Sequence, residues 1–80
     1  MESPMKELLE YLAKSLVRQP EEVRVEVSED DDNVNLMLHV AEDDLGKVIG
    51  RQGRIARAIR TVMKAAAVND GRRVNVDIMD

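Results

Sequence analysis

Met5, Leu8, Leu9, Leu12 and Leu16 recur at the three- and four-residue steps that place side chains on one face of a helix. The spacing predicts an amphipathic helix over residues 4–18. Ser3 suits its N-cap and Pro4 its first turn, where a missing N–H costs nothing. Pro20 closes it, because the residue before a proline is pushed out of the helical region. The period then changes from helical to alternating. Val23, Val25 and Val27 alternate with Arg24, Glu26 and Ser28, and after a polar, acidic turn at 29–33, Val34, Leu36, Leu38 and Val40 alternate with Asn35, Met37 and His39. Two strands this close predict a hairpin, with a register that the loop chemistry leaves open. Val74, Val76 and Ile78 alternate with Asn75, Asp77 and Met79 in a last strand.

Between the second and third strands the pattern is helical again, broken by glycine. Residues 45–49 form a short apolar segment, preceded by Glu42, Asp43 and Asp44 at the end where a helix dipole favours acids. Gly50-Arg51-Gln52-Gly53 is a tight loop, and helical spacing resumes at Arg54. At about 100° per residue, Ile55, Ile59, Val62, Met63 and Ala66 fall between roughly 80° and 180° from Arg54, whereas Arg57, Arg60 and Lys64 fall between roughly 240° and 300°. One face is expected in the core; the other is a basic stripe. Asn69, Asp70 and Gly71 stop this helix and turn the chain.

The order is α-β-β-α-α-β. It predicts an α+β fold, a three-stranded sheet with three helices packed on one face. Val34, Leu36, Leu38, Val74, Val76 and Ile78 point inward in that arrangement, and the other sheet face stays polar and open. With 80 residues and 44% hydrophobic content, the chain suits a single domain over 1–80 with a modest core.

Composition sharpens this picture in two ways. Tyr11 is the only aromatic residue and there is no cysteine, so the core is aliphatic and no disulfide supports it. Net charge is −4, which taken alone speaks against a polyanionic partner. The distribution says otherwise: residues 1–44 carry thirteen acids against four bases, while 45–76 carry eight bases against Asp70 alone. A polyanion senses the potential over roughly a Debye length of 8 Å, not the chain total. Two glycines flanking Arg51 and Gln52 let the backbone turn sharply and approach a ligand closely. The N–H groups opening the following helix lack intrahelical partners and favour an anion, a backbone phosphate above all.

Other chemistries find little here. No GxxxxGK[ST] or GxGxxG motif is present. Ser3, Ser15 and Ser28 have no histidine in a context that would activate them, and the lone His39, without a second His or any Cys, is a poor metal-ligand set. The acids at 29–32 lack the central glycine and closing glutamate of a calcium loop and read as a solvated hairpin tip. No catalytic residue, metal, cofactor or small-molecule substrate is expected. The N-terminus carries no basic-then-apolar leader, and no apolar run approaches the ~18 residues that span a bilayer. A cytoplasmic protein without membrane contact is the expectation.

Val48-Ile49-Gly50-Arg51-Gln52-Gly53-Arg54-Ile55-Ala56 resembles the KH signature, hydrophobic-Ile-Gly-x-x-Gly, and the element order resembles the type II arrangement. Over essentially its whole length the chain is similar to the small bacterial single-KH-domain RNA-binding proteins, the KhpA-like (YlqC-like) family. The resemblance implies a groove for about four nucleotides of single-stranded RNA, with the GxxG loop clamping the backbone. Gly50, Arg51, Gln52 and Gly53 would be the clamp, with Lys47, Ile49, Arg54 and Arg57 completing the RNA-binding set. Val48, Ile49, Ile55, Leu36 and Leu38 would floor the groove. It also implies a homodimer, or a heterodimer with a larger KhpB (Jag-like) KH protein, and a role in post-transcriptional regulation. An alternative is a KH-fold dimerisation module in which RNA binding is secondary. In one respect the sequence departs from the motif: many KH domains have Ile three residues after the second glycine, where Ala56 stands here. The missing aromatics fit this mode, since a phosphate clamp over an aliphatic groove needs none, whereas a stacking platform does.

Overall fold

The computed structural model describes residues 4–79, the side chain of Asn69 excepted; Ser3, the expected N-cap, lies outside them. Strands β1 (Arg24–Glu29), β2 (Asn33–His39) and β3 (Arg73–Met79) form one sheet in the order β1-β2-β3. β1 and β2 are antiparallel, β2 and β3 parallel. Helices α1 (Pro4–Leu16), α2 (Leu45–Ile49) and α3 (Arg54–Ala66) cover one face, with α1 against β1, α3 against β3, and both α1 and α2 touching α3.

The alternation sets the register. Val27 pairs with Leu36, which pairs with Val76, and together with Val25, Val34, Leu38 and Val74 they form the inward rows. Leu36 and Leu38 are completely buried. On the open face, Glu26 Oε1 lies 2.9 Å from His39 Nε2, and Asn75 Nδ2 donates to Asn35 Oδ1 at 2.9 Å. The acidic turn fixes what its composition left open: Asp30 Oδ1 accepts the N–H groups of Asp32 and Asn33 at 2.8 and 2.7 Å. This is an Asx-type turn, and it brings Glu29 opposite Val34.

Two expectations are corrected. α1 ends at Leu16, short of residue 18. The N–H groups of Arg18 and Gln19 go instead to Asp44, whose Oδ1 and Oδ2 accept them at 3.1 and 3.0 Å. Pro20 then opens a 3-10 turn, Pro20–Glu22. The buried residues in and just after α3 are Ala56, Ile59, Met63 and Ala67, which span roughly 140° to 220° from Arg54. The core face is therefore turned by about 60° from the hydrophobic arc, Val62 is 44% exposed, and Ile55 is half-buried. The physical reason is that burial follows what the helix packs against: Ala56 and Ala67 are buried, while Ile55 and Val62 lie on the side of α3 that borders a groove shared with Leu12 and Leu16 of α1.

Candidate nucleic-acid interface

The loop between α2 and α3 is built around three residues with positive φ. Gly50 has φ 76° and ψ 172°, a region open to glycine almost alone, Gln52 has φ 57° and ψ 25°, and Gly53 has φ 72° and ψ 17°. Two tight turns close it: Gly53 N–H donates to the Gly50 carbonyl at 3.1 Å, and Arg54 N–H to the Arg51 carbonyl. The Arg54 N–H is thus spent inside the loop, where the sequence had reserved the helix-opening donors for an anion.

The glycines differ in what surrounds them. A Cβ on Gly50 would lie 2.6 Å from Ile55 Cγ1, whereas one on Gly53 would meet nothing within 4 Å. Gly50 lets Ile55 fold back over the loop; Gly53 leaves its outer side open. Arg51 and Gln52, between them, are exposed.

Lys47, Arg54 and Arg57 are exposed on the same helix-loop-helix unit, and Ile49 is 39% exposed at the end of α2. The eight expected residues, Lys47, Ile49, Gly50, Arg51, Gln52, Gly53, Arg54 and Arg57, fall on one continuous stretch of α2, the loop and the start of α3. The expected groove floor is corrected: Val48, Leu36 and Leu38 are fully buried core residues with no exposed surface to offer a ligand. Ile49 and Ile55 are the apolar side chains of that set with exposed surface.

Two residues have roles that pattern reading missed. Asp44 is 1% exposed and uses both carboxylate oxygens on the chain leaving α1, tying that segment to the start of α2. Its position in an acidic triplet made it look like a helix-dipole residue, and only the fold reveals the distant N–H groups. Arg60, counted in the basic stripe, has its Nε donating to the main-chain carbonyl of Val76 on β3 at 3.1 Å. Elsewhere, Leu12, Leu16, Ile55, Ile59 and Val62 line an apolar groove of about 330 Å³ between α1 and α3, with Arg54 at its rim.

An α+β fold of this order, with a glycine-bounded turn joining two helices, defines a KH domain, a non-enzymatic fold. The chain belongs to the KhpA/KhpB KH-domain family, whose model matches residues 6–78. It is similar to the RNA-binding protein KhpA of Clostridium acetobutylicum, 57% identical over 94% of this chain and all of that one. The RNA-binding protein KhpA of Clostridium perfringens is 53% identical over the same shares. Among solved structures, Aquifex aeolicus Era bound to GDP.AlF4- aligns with a TM-score of 0.69 at 18% identity, over 98% of this chain and 31% of that one. Era in complex with MgGDPNP and nucleotides 1506-1542 of 16S ribosomal RNA aligns with a TM-score of 0.69 at 19% identity, over 92% of this chain and 28% of that one. The chain spans about a third of those two proteins, and the likeness concerns the fold alone.

Proposed function

We propose that this chain binds single-stranded RNA without catalysis, through the loop at Gly50, Arg51, Gln52 and Gly53. The observation that carries this reading is the loop itself: positive φ at both glycines, an open outer side at Gly53, and Arg51 and Gln52 exposed between them. Backbone phosphate would lie against the loop, Lys47, Arg54 and Arg57 would supply charge, and Ile49 would meet a base. No acid lies between Leu45 and Asn69 to oppose a polyanion. The relatives named RNA-binding protein KhpA support the ligand class, and the parallel β2-β3 pair supports the type II arrangement. The chain acts as one KH unit over residues 1–80, in post-transcriptional regulation and therefore in the cytoplasm.

A second reading, a protein-interaction module, is favoured by the apolar groove between α1 and α3. Leu16 and Val62 are 39% and 44% exposed there. This surface suits a second copy or a larger Jag-like KH protein. The two readings combine in a dimer that raises RNA affinity through effective concentration. Crosslinking in cells followed by identification of what is bound separates them: recovered RNA supports the clamp, and protein partners alone would make the interaction module the function.

A further inference from the structure

Arg60 differs from the other bases of α3 in being held. Its Nε donates to the Val76 carbonyl at 3.1 Å, on a strand that pairs with β2 on one side only. Asp77, the next residue, does not draw it away, because strand side chains alternate and that carboxylate lies on the open sheet face. The acceptor is neutral, so the guanidinium keeps its full charge. Nη1 and Nη2 have no partner among the described residues. A planar fork is thereby fixed in orientation beside the sheet edge, six residues beyond Arg54 and so about 9 Å further along the helix axis. Arg54 and Arg57 are exposed, as Arg60 is, but have no polar side-chain partners among the described residues, as suits phosphates that need charge more than direction.

An oriented pair of N–H donors distinguishes bases. It matches two adjacent acceptors, which guanine offers at O6 and N7 and cytosine at O2 and N3; adenine and uracil present a donor beside each acceptor on the corresponding edges. Bases of a single strand expose those edges. Resting on the RNA-binding reading above, we propose that Arg60 is a specificity-determining residue that reads one base of the strand held by the Gly50–Gly53 loop, selecting guanine or cytosine over adenine or uracil. The loop fixes the backbone and Arg60 supplies the sequence preference that the loop cannot.

The test is fluorescence anisotropy with the full chain and four labelled RNA octamers: C8, (GU)4, (AU)4 and U8. At least one of C8 and (GU)4 should bind about tenfold tighter than (AU)4 and U8. If (GU)4 is the favoured strand, replacing its guanines with 7-deazaguanine, which lacks the N7 acceptor, should remove the preference; C8 being favoured assigns the cytosine edge. Arg60→Lys keeps the charge without the fork. It should bring all four octamers to within about twofold of the wild-type (AU)4 affinity, with an unchanged salt slope. Equal wild-type binding of all octamers would overturn the proposal while leaving the clamp intact. So would an equal loss on every octamer in Arg60→Lys with a shallower salt slope, which marks a phosphate contact. The octamer comparison needs no variant, so it stands even if Arg60→Lys is unstable. Absence of wild-type binding to any octamer would remove the RNA-binding reading itself.

Discussion

Ile55 packs over Gly50 so closely that a Cβ at position 50 would lie 2.6 Å from its Cγ1. The same glycine has φ 76°, where an L-residue is strained even in open space. Gly50→Ala therefore combines backbone strain with displacement of Ile55, and we predict a loss of about 2–4 kcal/mol. Gly53 has similar φ but an open surround, so Gly53→Ala should cost about 1–2 kcal/mol. Gly53→Asn should cost less, since asparagine tolerates the left-handed region. Urea denaturation of the three variants checks the ranking.

Asp44 holds the end of α1 to the start of α2 through the N–H groups of Arg18 and Gln19. Asp44→Ala would leave two part-buried donors unpaired, and we predict a destabilisation of about 2–3 kcal/mol. Chemical denaturation measures it, and amide exchange should reveal faster exchange at Arg18 and Gln19.

What the sequence made legible follows from how local each signal is. Strand faces were readable because alternation is a two-residue property and one sheet face is covered throughout. The loop was readable because Gly50 and Gly53 bracket two polar residues between helical stretches. The core face of α3 was misjudged by about 60°, since a wheel weighs hydrophobicity while burial is decided by what the helix packs against. Ala56 and Ala67 are buried, and Val62 is exposed despite being apolar. Asp44 and Arg60 were out of reach for a different reason: their partners, Arg18, Gln19 and Val76, are distant in sequence.

Two exposed carboxylates should add a small acid dependence to stability. Asp30 has its pKa lowered from 3.8 by the N–H groups of Asp32 and Asn33. Asp70 has its pKa lowered from 3.8 by hydrogen bonds from Arg72, whose own pKa is raised in return. A folded-state value below the unfolded one means the stabilisation is complete above the unfolded value and is lost as pH falls through the lowered one. The urea midpoint should therefore fall as pH drops below about 4. Asp30→Asn keeps an acceptor oxygen for the turn without the charge, and should shallow that fall.

Val62, exposed on the apolar groove beside α1, tests the proposed dimer surface. Within one chain Val62→Glu should cost little, because surface substitutions cost within about 0.5 kcal/mol, so any fall in melting temperature should be the part that depends on protein concentration. It should shift sedimentation toward the monomer and weaken RNA binding through lost effective concentration.

The loop between Gly50 and Gly53 carries the central claim, and the double variant Arg51→Asp with Gln52→Asp tests it most directly. Both side chains are exposed, and Asp tolerates the positive φ at position 52, so the fold and melting temperature should be retained. A direct titration with single-stranded RNA should then find affinity reduced beyond detection, because two carboxylates would face the phosphate backbone. Wild-type affinity in a folded double variant would contradict the clamp.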